Sequence, residues 1–199
     1  MKLRAAVSMR ALVMLLALLL LWSASRADQA PTLRAGVFDP PRGAPEFALR
    51  GSDGAELSLA RFRGKVVILG FGFSSCPDVC PITLSTLAQA RKELGAEAKD
   101  VQVVYITVDP ERDDAARLKE YLGSFDATFV GGTGSAEELS AVRKAYGIAA
   151  ERKDSPVGAT FAHSSHTCLI DRQGRLRALM PYGAPAADYS HDLRILLAP

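Results

Sequence analysis

The sequence predicts an α/β protein, a central sheet covered by helices on both faces, and three observations carry that prediction. Strand-like and helix-like segments alternate along the chain. Two runs, Val66-Val67-Ile68-Leu69-Gly70-Phe71-Gly72-Phe73 and Val101 to Val108, are apolar on both alternating faces, as strands in the middle of a sheet must be. Between them, Leu84, Leu87, Ala88 and Leu94 recur at helical spacing.

The elements follow in order. Phe47-Ala48-Leu49 and Glu56-Leu57-Ser58-Leu59 flank the turn Ser52-Asp53-Gly54, a hairpin signal. Gly64-Lys65 introduces the first buried strand, and the helix and second buried strand come next. Asp113 to Leu122 places Leu118 and Leu122 one helical turn apart, and Thr128-Phe129-Val130 is a short β-prone stretch. Ser135 with Glu138 three residues on predicts a capped helix bearing Leu139, Val142 and Tyr146. Thr167-Cys168-Leu169-Ile170 and Leu176 to Met180 bracket Asp171-Arg172-Gln173-Gly174, a second hairpin, and Ala186 to Leu197 closes as a final helix.

The N-terminus sets the compartment. Lys2, Arg4 and Arg10 precede an apolar run from Ala11 to Trp22, and Ser25 and Ala27 then occupy the small positions of a cleavage context. Residues 1–27 are read as a signal peptide or an N-terminal membrane anchor. Cleavage is favoured, because the run is short of the roughly 20 apolar residues of a bilayer span. Either way the folded part is expected outside the cytoplasm, in the periplasm or on the periplasmic face of the inner membrane. Residues 28–43, with Pro31, Pro40 and Pro41, read as a linker, and 44–199 as the folded domain. A net charge of +2 is too small to argue for a nucleic-acid partner.

Three cysteines, Cys76, Cys80 and Cys168, are too few and odd in number for a disulfide framework. Cys76-Pro77-Asp78-Val79-Cys80-Pro81 follows the first buried strand, where sheets of this class bind ligands. If residues 76 to 80 are helical, the two Cβ atoms stand about 5–6 Å apart. A disulfide wants them at about 3.5–4.5 Å, so a shared metal fits with less distortion. Thiolates select Cu(I) or Zn, and a structural zinc site would want four ligands. A helix N-terminus would also lower a thiol pKa. His163 and His166 precede the strand Thr167–Ile170, and local sequence does not choose between them; His191 is expected on the surface of the last helix. Cys168 reads as a small buried hydrophobe.

At these residues the chain resembles the Sco/SenC family of copper-binding thioredoxin-like proteins. The likeness rests on Phe-Gly-Phe at 71–73, Cys-Pro-Asp-Val-Cys-Pro at 76–81, Val-Asp-Pro-Glu-Arg-Asp at 108–113, and His163 ahead of Cys-Leu-Ile-Asp at 168–171. It implies a thioredoxin-like fold and one copper ion, Cu(I) or Cu(II), held by Cys76, Cys80 and His163. It also implies a role in maturing the copper centre of cytochrome c oxidase subunit II, as a copper-transfer protein with a copper donor or thiol reductant behind it. The family often has an acidic residue where Ala162 stands and an aromatic one where Cys168 stands. The alternative is an exported thiol–disulfide oxidoreductase using Cys76 and Cys80 on the client's cysteines. A peroxidase ranks last, because Phe73-Ser74-Ser75 rather than a Pro/Thr pair precedes Cys76.

Overall fold

The structure, a computed structural model, describes residues 32–153 and 160–198. Residues 1–27, the expected signal peptide or anchor, lie outside the described residues. The strands and α-helices run β1 (Gly36–Gly43), β2 (Ala48–Gly51), β3 (Glu56–Ser58), β4 (Val66–Gly72), α1 (Val79–Leu94), β5 (Val101–Thr107), α2 (Ala115–Gly123), β6 (Val130–Thr133), α3 (Ala136–Ala145), β7 (Ala150–Lys153), β8 (Thr160–His163), β9 (Thr167–Ile170), β10 (Arg175–Met180) and α4 (Ala186–Leu197). The main sheet has the order β1-β10-β9-β4-β5-β6-β2-β3. Its centre, β4-β5-β6, is parallel, and antiparallel strands flank it. Every residue of β4 and β5 is buried, as their unbroken apolar runs require.

Cross-strand register divides the side chains between two faces. Gly70 sits opposite Tyr105, and Tyr105 opposite Gly131. On that face, a Cβ at Gly131 would meet Leu118 of α2, and Thr167 shares a hydrogen bond with Tyr189 of α4. Tyr146, the residue that follows α3, packs on the other face, its ring 5.9 Å from that of Phe71. The Ser135–Glu138 capping box forms as expected, with Glu138 N donating to Ser135 Oγ at 3.1 Å and Ser135 N to Glu138 Oε2 at 2.7 Å.

Three features differ from the sequence reading. Gly36–Gly43, inside the stretch read as linker, is a strand paired with β10. It is an edge strand whose register breaks between Val37 and Arg42, where Pro40 and Pro41 have no N–H to donate. The pair β7–β8 forms a separate two-stranded sheet. Ala150–Lys153 is largely exposed, so no apolar alternation announced it. Helix α2 begins at Ala115 rather than Asp113, capped by Asp114, which accepts from Arg117 N at 2.7 Å.

Cys168 pairs in register with Leu69, so it lies on the Tyr146 face, opposite Gly70. It is fully buried, and burial pushes its thiol up to about 12 from 9.0. The native thiol therefore keeps its proton where the unfolded one has lost it. Its stabilising contribution is complete below pH 9 and is lost as pH rises toward 12. Denaturant titrations of Cys168→Ala under reducing conditions should show this decline reduced by up to about 1.4 kcal/mol per pH unit. An unchanged slope would contradict the burial account.

Candidate metal centre

Strand β4 delivers the chain to the site, and a short turn follows it. Cys76 N donates back to Phe73 O at 3.3 Å, and α1 begins at Val79. Cys76 is thus on the turn and not on the helix, so the i, i+4 spacing on a helix face does not apply. Pro77 is the reason, since it disfavours helical backbone at the residue before it. Cys80 lies in the first turn of α1, where Pro81 is tolerated because an N–H there has no intrahelical partner.

A buried carboxylate pins this turn. Asp113 accepts from Ser74 N at 2.9 Å, Ser74 Oγ at 2.6 Å and Thr107 Oγ1 at 2.7 Å. Arg117 Nε adds a bond to Ser74 Oγ at 3.1 Å. Asp113 ends the Val-Asp-Pro-Glu-Arg-Asp motif, to which sequence reasoning gave no structural task. Three satisfied bonds on one buried carboxylate hold the chain two residues before Cys76.

His163 ends β8 and reaches the cysteines from the opposite side of the cleft. Phe73 sets it in place, its ring meeting those of Phe161 at 5.5 Å and His163 at 6.1 Å, both edge-on. His163 Nδ1 lies 2.8 Å from Ser164 O. A carbonyl only accepts, so Nδ1 carries a proton, and in the neutral ring Nε2 keeps its lone pair. That Nε2 stands 3.8 Å from Cys80 Sγ. The gap is shorter than a metal–sulfur and a metal–nitrogen bond laid end to end, about 4.3 Å, so one ion can bridge the two atoms.

Cys80 is buried and Cys76 half-buried, and all three cysteines are free thiols. Burial pushes the Cys80 thiol up to about 12, against smaller downward pulls from the Tyr105 hydroxyl and the Phe73 backbone; neighbouring Cys76 pushes it further up. The expectation that the helix N-terminus lowers this thiol is therefore corrected: desolvation outweighs it. The Tyr105 phenol is itself 1% exposed and held far above its ordinary value by burial. It fits beside Cys80 because Gly70 and Gly72 of β4 carry no side chain there. A Cβ at Gly72 would lie 1.8 Å from Tyr105 Oη.

The cleft between these groups is a cavity of about 10 Å³ lined by Cys80, His163, His166, Tyr105, Thr83 and Thr167 among others, room for about one water-sized sphere. Among the described residues, no three His, Cys, Asp or Glu side chains are gathered closely enough to hold a metal ion outright. The structure brings Cys80 to His163, with Cys76 beside Cys80. His166 lines the same cavity; Cys168 and His191 stand apart, His191 Nδ1 lying 2.9 Å from Asp192 on α4. A wider groove of about 450 Å³ beside α1, including Arg91 and Asp126, has neither thiol nor imidazole in its lining.

Fold and site together define a thioredoxin-like protein with a paired thiol and an imidazole where its first central strand enters a helix. The SCO1/SenC family model matches residues 38–198, and the chain belongs to that family. It is 38% identical over 136 residues to the mitochondrial SCO2 homolog of Bos taurus, covering 66% of this chain and 51% of that protein. It thus spans about half the length of that relative. Among solved structures it resembles ScoI of Bradyrhizobium japonicum with copper bound, at TM-score 0.72 and 30% identity over 77% of this chain and 99% of that one. Apo Sco1 of Thermus thermophilus matches at TM-score 0.76 and 32% identity, over 85% and 99% respectively.

Proposed function

We propose that this protein is a copper metallochaperone that carries one copper ion on Cys76 Sγ, Cys80 Sγ and His163 Nε2. Its client is the copper centre of cytochrome c oxidase subunit II, reached from the periplasmic side of the membrane. The observation that carries the reading is the Nε2 lone pair of His163 facing Cys80 Sγ at 3.8 Å in a cavity for one small ion. Two sulfurs and one imidazole suit Cu(I), which accepts soft ligands and low coordination. Copper is cargo here: buried Cys80 holds it from within, and half-buried Cys76 and His163 are the donors an approaching acceptor can reach. The copper-bound ScoI relative supports the choice of ion, and the family resemblance supports the client.

The three-residue spacer between Cys76 and Cys80, one longer than in the C-x-x-C redox motif, and the imidazole of His163 at Cys80 weigh against a thiol–disulfide oxidoreductase. The reduced protein should bind one Cu(I) in an anaerobic competition against a chelator, and Cys76→Ala should lose it. His163→Ala should weaken Cu(I) retention more than His166→Ala. Absent Cu(I) binding, together with a readily cycling Cys76–Cys80 disulfide, would establish the oxidoreductase instead.

A further inference from the structure

His166 lies on the connection between β8 and β9, and the copper reading assigns it nothing. Its imidazole lines the same cavity as Cys80 and His163. Its Nε2 is closed off from solvent and has no hydrogen-bond partner among the described residues. Buried polar atoms are nearly always satisfied, and an exception calls for a cause. Of the neighbouring hydroxyls, that of Thr83 gives its hydrogen to Val79 O at 2.9 Å. Burial also lowers the His166 pKa, favouring the neutral ring that has a lone pair to give. His191 has no such position, being paired with Asp192 on α4.

We propose that His166 is a second nitrogen donor for the copper ion, engaged when the ion is Cu(II). This rests on the copper reading above. Cu(I) is content with two sulfurs and one imidazole, whereas Cu(II) prefers tetragonal surroundings with more nitrogen. Cys76, Cys80, His163 and His166 supply a two-sulfur, two-nitrogen set from one cleft. The imidazole three residues after His163 thus lets this chain hold both oxidation states, with Cu(II) depending on it far more.

The test is to mix the reduced full chain with one equivalent of Cu(II) under argon, freeze it at once, and count coordinated imidazoles by pulsed EPR. Two are expected in the wild type and in His191→Ala, and one in His166→Ala. Cu(II) affinity of His166→Ala should fall about tenfold or more, while its retained one-to-one Cu(I) binding shows that the variant is folded. A single imidazole in the wild type, or two remaining in His166→Ala, would overturn the proposal and leave the Cu(I) carrier intact. A wild type that binds neither Cu(I) nor Cu(II) would overturn both.

Discussion

Cys80→Ala is expected to abolish Cu(I) retention, with affinity falling at least about a thousandfold, or about 4 kcal/mol, in a chain that still folds. The reason is that no other sulfur lines the cavity. Cys80 is 1% exposed and faces His163 Nε2 from inside the cleft. The hydroxyls of Tyr105 and Thr83 that share the cavity are hard, neutral oxygens, which copper in its lower oxidation state does not favour. Cys76, His163 and His166 would remain, but one thiolate with imidazoles lacks the second soft sulfur that Cu(I) favours. The fold tolerates the change because a single sulfur atom is lost, at a cost of about 1 kcal/mol. Chelator competition reads the affinity, and urea titration confirms the fold. A folded Cys80→Ala protein that keeps its Cu(I) would place the copper site elsewhere.

Much of the framework was legible before the structure because its signals are local. The unbroken apolar runs of β4 and β5 require burial on both faces. Ser135 and Glu138 announce a capping box, and Asp171 to Gly174 a turn between paired strands. The cysteine pair was readable because it stands where a buried strand enters a helix. What was not legible depends on contacts between distant segments. β1 exists because β10 offers it an edge, and its prolines hid it. β8, which ends on His163, pairs with a charged and exposed β7 that carries no periodic signal. Local sequence left His163 and His166 open; the structure distinguishes them by the hydrogen bond of His163 to Ser164 O and by the unsatisfied Nε2 of His166. The state of Cys80 turned on a comparison that spacing cannot make. The helix terminus favours a thiolate, desolvation disfavours it, and burial decides the sign against the opposing pull of the Tyr105 hydroxyl.

That burial gives Gly72→Ala the largest expected effect on stability. A Cβ there would sit 1.8 Å from Tyr105 Oη, 2.7 Å from its Cζ and 2.8 Å from Cys80 Sγ. The tyrosine ring has little freedom to retreat, since it is 1% exposed and already 3.0 Å from where a Cβ at Gly70 would stand. Overpacking of this kind costs about 3 kcal/mol, measurable as a lower urea midpoint. Because the added methyl also presses on the Cys80 sulfur, Cu(I) affinity should fall in the same variant. Tyr105→Phe removes the oxygen that makes the closest clash. Gly72→Ala should then cost less when combined with Tyr105→Phe, with a coupling of about 1 kcal/mol or more in the double-mutant cycle. The saving is partial, because the ring carbon at 2.7 Å remains. Strictly additive losses would mean that the phenol is not what fills the space beside Cys80, and the account of how that thiol is buried and held would fail with it.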